Sequence, residues 1–311
     1  MSDLILHHYP TSPFAEKVRL ILGYKQLPWK SVVIPMIMPK PELTALTGGY
    51  RKTPVLQIGA DIYCDTALIC DVLEHLAPTP TLYPDAVKGA ARIVSQWADG
   101  AVFNAAMAWN FQPAGVADVF AGAPAETIQA FVADRSAMRG GAPRMASSDA
   151  AATYKSYLRR IANMLHGQDH LFGPQPCVAD FAVYHPLWFT LERTPSVAGI
   201  LEATPEVKAW MGRMKAIGYG TVVKSSAQEA LHAAQSSTPA ALADEVFQDE
   251  HGIALGSQVL IAADTFGPEP TQGELVAATR TRYTLRRTDE RAGTVHVHFP
   301  RLGFTLKKVS A

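Results

Sequence analysis

The sequence is poor in cysteine and has no excess of charge of either sign, and both absences exclude classes of protein. Its 311 residues include three cysteines, Cys64, Cys70 and Cys177, which form neither a CxxC pair nor a metal-ligand spacing. Lysine plus arginine and aspartate plus glutamate number 28 each, so a nucleic-acid partner is not expected. The stretch MSDLILHHYP lacks a signal-peptide pattern, and no apolar run is long enough to cross a membrane. These features predict a cytoplasmic globular protein with reduced thiols.

Three zones differ in their hydrophobic patterns. Residues 1–80 predict a strand, a helix and a strand, then an irregular connection, two strands joined by a tight turn, and a helix. Residues 86–235 contain long alanine-rich segments with helical spacing, which predict a helical bundle. A polar break, AAQSSTPAALAD, then leads into glycine-punctuated apolar runs. Residues 245–311 are therefore expected to form a small β-barrel of about five strands.

The stretch HHYPTSPFAEKVRL places Ser12-Pro13 between a strand and an amphipathic helix. Serine is a favoured N-cap and proline suits the first helical position, so Ser12 is expected to cap this helix. The same hydroxyl lies where the helix dipole and the unpaired N–H groups favour negative charge, which lowers the pKa of a bound thiol. Ser12 is therefore either a cap alone or a cap that also activates a thiol.

Two later positions allow a similar pair of interpretations. Thr53-Pro54 directly precedes a strand, where a trans proline is awkward, and a cis bond would present the Thr53 backbone to a peptide-like ligand. Asp65-Thr66 begins the next helix, and Thr66 is the expected N-cap. This helix start is either a cap alone or a site where Thr66 holds a carboxylate and Asp65 meets an ammonium group.

These segments resemble the glutathione transferase superfamily in their order and spacing. The resemblance implies an α/β thioredoxin-like domain followed by an all-α helical domain, with glutathione as co-substrate. It also implies a homodimer in which the first domain packs against a neighbour's helical domain. The matching stretches, which span roughly residues 4–222, are YPTSPFAEKVRL, RKTPVLQIG, DTALICDVLEHL, LFGPQPCVADFAVYHPLWF and TPEVKAWMGRMKAIG.

By this resemblance, Ser12 would donate a hydrogen bond to the glutathione sulfur and stabilise its thiolate. Tyr9 and Thr11 lie close enough in the sequence to compete for that role. Relatives that exchange disulfides use a cysteine in this region, and none is present here. The expected reaction is therefore attack of the glutathione thiolate on a hydrophobic electrophile. The alternative is a binding or regulatory protein that keeps the fold without turnover.

The resemblance also assigns each part of glutathione to particular residues of the first domain. A cis Thr53-Pro54 would bind the cysteinyl backbone, and Asp65-Thr66, where the family usually has Glu-Ser, would hold the γ-glutamyl end. Either Lys40 or Lys52 would face the glycyl carboxylate. The expected glutathione-binding residues are Tyr9, Phe14, Lys40, Lys52, Thr53, Pro54, Asp65 and Thr66.

The electrophile is expected to bind between the two domains. The first long helix of the helical domain is rich in aromatic residues from Trp97 to Phe111. These residues form either the core of the bundle or one wall of a substrate pocket. The expected pocket residues are Phe103, Asn104, Met107 and Phe111.

The last zone adds two histidines and a group of arginines. His296 and His298 share one face of a strand in GTVHVHFPR. Because no third ligand is evident from the sequence, a solvated strand face is expected and no metal site. Nearby arginines, including Arg286 and Arg287, would dock on the body of the protein, bind an anion or contact a partner.

Overall fold

A computed structural model gives the fold of the chain and describes residues 3–140, 145–242 and 246–309. The expected domain ends at residues 1, 245 and 311 lie outside these ranges. Within them, ten strands form one sheet. The strands are β1 (Leu4–His8), β2 (Trp29–Val33), β3 (Val55–Ile58), β4 (Asp61–Cys64), β5 (Val222–Ser225), β6 (Gln258–Ala263), β7 (Thr271–Ala278), β8 (Arg282–Asp289), β9 (Gly293–Pro300) and β10 (Phe304–Lys308).

Helices cover both faces of this sheet and build the middle of the chain. Two short π-helical turns, at Ala98–Val102 and Phe189–Arg193, and a 3-10 helix at Pro195–Leu201 interrupt or follow them. The helices are α1 (Pro13–Tyr24), α2 (Pro41–Thr47), α3 (Thr66–Leu76), α4 (Lys88–Trp97), α5 (Phe103–Asn110), α6 (Pro113–Val119), α7 (Ala125–Arg139), α8 (Ser147–Met164), α9 (Val178–Trp188), α10 (Pro205–Ala216) and α11 (Ala227–Gln235).

The first zone has the predicted order of elements. β1 pairs in parallel with β2 and antiparallel with β3, and β3 and β4 form a hairpin. Successive residues of β1 point to opposite faces, as a strand requires. Leu6 packs with α1, α3 and the helical zone, whereas Ile5 packs with α2, α11 and the last five strands. The sheet is therefore buried on both sides and holds the loops after β1 and before β3 in fixed positions.

The helical zone is confirmed from α4 to α10, and the chain then returns to the sheet. The bundle was expected to extend to residue 235, but β5 pairs in parallel with β2. α11 packs on α2, β2 and β9. Every helix in residues 3–140, 145–242 and 246–309 is too short or too polar to span a bilayer. All three cysteines are buried and carry free thiols.

The last zone, called the extension here (residues 246–309), contains the five expected strands β6 to β10. Their arrangement differs from a separate small barrel, because β9 pairs in parallel with β4 of the first zone. The sheet order is β10-β6-β7-β8-β9-β4-β3-β1-β2-β5. β4 would otherwise present a row of unpaired N–H and C=O groups, and β9 satisfies them. This pairing is called the seam below.

Arginines of the extension contact the body of the protein. Docking on the body was one of the three alternatives that the sequence left open for these arginines. Arg287 donates a hydrogen bond to the carbonyl of Ala45 at 2.6 Å, and Arg291 donates to the carbonyl of Pro41 at 2.6 Å. Both carbonyls belong to α2. The extension is thus bound to the first zone through the seam and through α2.

Candidate functional site

Ser12 caps α1 as the sequence predicts. Its Oγ accepts a hydrogen bond from the N–H of Ala15 at 3.2 Å, and Pro13 is the first helical residue. Among the described residues the Ser12 hydroxyl makes this one hydrogen bond, so its own hydrogen is available to an acceptor. The residue is only 2 % exposed. The group therefore lies almost fully buried at a helix N-terminus, where negative charge is favoured.

Tyr9 and Thr11 lie in the same loop and are more exposed than Ser12. Both are half-buried. The Tyr9 hydroxyl accepts a weak hydrogen bond from Arg135 at 3.4 Å, and the Thr11 hydroxyl contacts the sulfur of Met36 at 3.5 Å. Thr11 therefore already donates its hydrogen to Met36, whereas Tyr9 and Ser12 accept hydrogen bonds and keep their own hydrogens to donate.

The Thr53-Pro54 bond is cis, as expected. The Nζ of Lys40 donates to the Thr53 hydroxyl at 3.3 Å and to the carbonyl of Arg51 at 3.1 Å. Burial, helped by the charges of Arg135 and Arg51, lowers the pKa of Lys40 to about 8. Lys40 therefore lies beside the cis bond as a partly desolvated cation that gains from any nearby anion.

A group of cations surrounds this position, and two of them were not found by sequence reasoning. Arg135 of α7 donates to the carbonyl of Met36 at 2.9 Å. Arg51 pairs with Asp134 of α7 and with Glu269 of the extension. These contacts join three parts of the chain that are far apart in sequence, and no local motif marks Arg135. The cluster is called the cationic wall and consists of Lys40, Arg51 and Arg135.

Lys52 points toward the extension instead of joining the cationic wall. Its Nζ lies 5.9 Å from the ring centre of Tyr50 and 5.3 Å from that of Phe304. Burial lowers its pKa, although the nearby carboxylates of Asp65 and Asp264 act in the opposite direction. Of the two lysines expected at the glycyl end, Lys40 is the one beside Thr53.

The start of α3 differs in one detail from the prediction. Asp65, not Thr66, is the N-cap, and its Oδ1 accepts from the N–H of Ala67 at 2.9 Å. Asp65 has φ +77°, a conformation that costs a non-glycine residue about 1–3 kcal/mol and is concentrated at functional sites. Thr66 is the first helical residue, and its hydroxyl accepts from the Nζ of Lys17 at 3.3 Å.

Lys17 connects Thr66 to the helical zone through an ion pair in which Lys17 is fully buried and the Asp99 side chain is 21 % exposed. Its Nζ lies 2.6 Å from Asp99, which is in the π-helical turn before α5. The other oxygen of Asp99 lies 2.9 Å from Nε2 of His185. Burial lowers the pKa of Lys17, but the charge and hydrogen bond of Asp99, together with the charges of Cys70 and Asp65, outweigh burial and raise the pKa above its usual value. Burial likewise opposes ionisation of Asp99, and Lys17 and His185 outweigh it and lower that pKa.

The expected pocket residues divide between two places. The ring of Phe103 lies 4.7 Å from that of Phe14, next to Ser12. Asn104 is exposed and Met107 is half-buried against the helical core. Phe111 lies farther along, with its ring 6.1 Å from Phe131 and 5.9 Å from Phe189. The structure therefore brings Phe14 and Phe103 together at the start of α1, and it places Phe111 among aromatic rings of the helical zone.

The prediction for His296 and His298 was wrong in one respect. Their strand face is not solvated, because the side chains are 12 % and 3 % exposed. Asp61, at the start of β4, lies against both of them. Asp61 is thus the third group of the cluster. The sequence did not reveal it, because it belongs to the first zone, more than two hundred residues away along the chain.

Comparisons with known proteins agree with this fold. The family model described as the glutathione S-transferase N-terminal domain matches residues 6–81, and the model of the C-terminal domain matches residues 144–217. A GST-like protein from Pseudomonas syringae has a crystal structure with a TM-score of 0.83 and 44 % identity, covering 99 % of this chain and 100 % of that one. Because the coverage is nearly complete, that protein shares the extension.

Two other proteins match part of the chain. FtsZ-localized protein A of Caulobacter vibrioides is 26 % identical over 186 residues, which are 57 % of this chain and 72 % of that protein. A rice glutathione transferase solved in complex with glutathione has the same fold, with a TM-score of 0.50 and 17 % identity, covering 73 % of this chain and 92 % of that one.

The Lys17 to Asp99 contact leads to a prediction about stability. Replacing Lys17 with Met should lower the free energy of unfolding by up to about 3–5 kcal/mol, because the largely buried Asp99 carboxylate loses the Lys17 cation while keeping its contact with His185. The double variant Lys17→Met with Asp99→Asn should lose less than the sum of the two single variants. Urea unfolding followed by circular dichroism measures all three.

The matched control is Lys30→Met, which breaks an exposed ion pair with Asp3. It should change the free energy of unfolding little, because exposed pairs contribute little. A loss in Lys17→Met no larger than that in Lys30→Met would contradict the assigned role of the Lys17 to Asp99 pair.

Proposed function

The chain belongs to the glutathione transferase superfamily, and from that premise we propose that it binds glutathione and uses Ser12 to stabilise the thiolate for attack on a hydrophobic electrophile. The observation that carries this proposal is the Ser12 hydroxyl. It caps α1 through Ala15 and retains a hydrogen to donate. A sulfur placed there would receive that hydrogen bond and the favourable field of the helix N-terminus.

The rest of the site supports a tripeptide that carries charge at both ends. Asp65 at the start of α3 would meet the ammonium of the γ-glutamyl group, and Thr66 with the first N–H groups of α3 would hold its carboxylate. Thr53 beside the cis bond would bind the cysteinyl backbone. The cationic wall of Lys40, Arg51 and Arg135 would hold the glycyl carboxylate. Tyr9, Phe14 and Lys52 complete the proposed set.

The proposed reaction follows from the chemistry of Ser12. A hydroxyl is not a nucleophile here; it stabilises the sulfur anion of the bound tripeptide after the thiol proton leaves for water or buffer. The sulfur lone pair then forms a bond to an electrophilic carbon, and the electron pair of the broken bond goes to the leaving group or to an adjacent atom. Phe103, beside Phe14, would begin the proposed wall for this electrophile, and Asn104 and Met107 would continue it along α5 toward Phe111. Its apolar character favours hydrophobic compounds.

A second candidate function is binding or regulation without turnover. The low exposure of Ser12, 2 %, favours it, because a reacting sulfur must be reached by a second molecule. The similarity to FtsZ-localized protein A points the same way, since that name describes a location and not a reaction. Binding of glutathione without thiolate formation would distinguish this candidate from the transferase.

The proposed units are residues 1–80 together with β5 and α11, residues 86–216, and residues 245–311. The first would carry glutathione, the second the electrophile wall, and the third would support the first through the seam. The three buried free thiols suit a reducing compartment, and we propose the cytoplasm as the location of the protein.

The role of Ser12 can be tested by titration with glutathione. Isothermal titration should show that the wild type binds, and ultraviolet absorption should show that bound glutathione is a thiolate. In Ser12→Ala the pKa of the bound thiol should rise by about 1–2 units, because a hydrogen bond to a charged group contributes roughly 1.5–3 kcal/mol and one pKa unit equals about 1.4 kcal/mol. Binding itself should persist.

Ser12→Thr is the matched control, since it keeps both the hydroxyl and the cap. Loss of the thiolate in Tyr9→Phe or Thr11→Val, with Ser12→Ala unaffected, would transfer the role to that residue. No heat and no thermal protection of the wild type at millimolar glutathione would refute the proposed function. Binding without thiolate would favour the non-catalytic candidate.

The pKa of Lys40 gives a prediction about pH. Lys40 has a pKa lowered to about 8, so it is charged below that pH and loses its proton as the pH rises through it. The affinity for S-methylglutathione, which has no thiol to titrate, should therefore weaken between about pH 7 and pH 9 by roughly tenfold, the equivalent of one charged hydrogen bond. Isothermal titration across this range gives the dissociation constants.

Lys40→Arg provides the comparison, because a guanidinium keeps its charge over the whole range. Its affinity should change with pH only through the ligand's own amine. Identical profiles in the wild type and Lys40→Arg would show that Lys40 does not face the ligand.

We also propose that the protein is a homodimer. β9 already occupies the outer edge of β4, so a neighbouring chain would pack on α3 and α4 instead. Ile93 on α4 is 69 % exposed and offers an apolar contact for it. Sedimentation velocity at micromolar concentration should give a dimer for the wild type and a monomer for Ile93→Glu. A monomeric wild type would exclude this arrangement.

A further inference from the structure

The seam between β4 and β9 carries a cluster of side chains that the proposed glutathione chemistry does not use. Asp61 is the cross-strand neighbour of His296, and His298 follows two residues later. Cross-strand neighbours and residues two apart point to the same face of a sheet, so all three side chains meet on one side. One ligand atom from each lies within 4.8 Å of the others.

The distances within this cluster suit a small cation with about four ligands. Asp61 Oδ1 lies 2.9 Å from Nε2 of His298 and 3.8 Å from Nδ1 of His296. Ligand atoms held tetrahedrally at about 2.0–2.1 Å from zinc are themselves about 3.3 Å apart. The observed spacings lie on either side of that value, so small side-chain adjustments would complete the geometry.

Contacts outside the cluster hold two of the three groups in place. The second oxygen of Asp61, Oδ2, accepts from the N–H of Ala240 at 2.8 Å. The other ring nitrogen of His298, Nδ1, lies 3.0 Å from the hydroxyl of Thr284. Supports of this kind orient the ligands of metal sites. They leave Oδ1 of Asp61 and Nε2 of His298 directed toward His296.

One feature of His296 is not explained by the hydrogen bond between Asp61 and His298. Its Nδ1 is buried and has no hydrogen-bond partner among residues 3–140, 145–242 and 246–309. A buried polar atom without a partner costs free energy, and a metal ion is one way to satisfy it. Arg286, the cross-strand neighbour of His296 on β8, donates three hydrogen bonds to Glu274, at 2.7, 2.8 and 3.2 Å. Its charge is thereby balanced by an acid outside the cluster.

We propose that Asp61, His296 and His298 form a binding site for a divalent transition-metal ion of the zinc class. Two imidazole nitrogens and one carboxylate oxygen match the ligands of zinc, whereas magnesium and calcium take oxygen ligands. The ion joins β4 of the first zone to β9 of the extension, and its fourth position is left for water. Metal affinity therefore adds directly to the stability of the seam.

Cobalt titration of the metal-free protein tests this site without glutathione. The chain is freed of metal with a chelator, and Co²⁺ is added while visible d–d absorption is recorded. One equivalent should produce the spectrum of a four-coordinate ion, and Zn²⁺ should displace it. The melting temperature should rise with Zn²⁺ and fall back with chelator.

Variants identify the ligands. His296→Gln should abolish the d–d absorption, and Asp61→Asn should weaken binding at least tenfold. Thr284→Val should weaken it by about 10- to 100-fold, the effect of removing a group that orients a ligand. His166→Gln, which replaces an exposed histidine elsewhere, should bind as the wild type does. Circular dichroism of each metal-free variant establishes that it is folded.

The site is overturned by a folded wild type that shows no d–d absorption and retains no stoichiometric zinc after equilibrium dialysis. It is equally overturned by a folded His296→Gln that binds as tightly as the wild type. Because no step of this experiment involves glutathione, its result is independent of whether the proposed transferase function holds.

Discussion

The ion pair between the fully buried Lys17 and the largely buried Asp99 is the contact on which the candidate site depends most. Each charge alone would be expensive to bury, and each is tolerated because the other lies 2.6 Å away. Lys17 belongs to the helix that Ser12 caps, and it also donates to Thr66 at the start of α3. Asp99 immediately precedes the helix that carries Phe103. One electrostatic contact therefore fixes the helix starts proposed for glutathione relative to the wall proposed for its reaction partner.

Local chemistry explains what could be predicted from the sequence. Ser12-Pro13 contains both the acceptor and the ring geometry that begin a helix, so the cap followed from two adjacent residues. The cis bond at Thr53-Pro54 followed from family resemblance. The cap of α3 was misplaced by one residue, because Asp65 and Thr66 are both good caps and the sequence does not specify the positive φ of Asp65.

What the sequence could not reveal depends on contacts between distant segments. Arg135 reaches Tyr9 and Met36 because α7 is folded back over the first zone. No periodicity within α7 indicates that contact. Asp61 meets His298 because β9 joins the first sheet, whereas the sequence pattern of the extension is equally compatible with a separate barrel. Strand pairing of this kind is set by which edges are available, and that is a property of the whole chain.

The seam also determines how the molecule can come apart. Hydrogen bonding runs without interruption from β10 to β5. The extension and the first zone therefore form one cooperative unit and not two independently folding domains. Removing the extension, by ending the chain between α11 and β6, would expose the hydrogen-bonding edge of β4 beside apolar residues such as Ile62. An uncovered edge of that kind recruits strands from other molecules. The extension therefore prevents the edge of β4 from pairing with strands of other molecules, and forms of this protein that lack the extension are expected to aggregate.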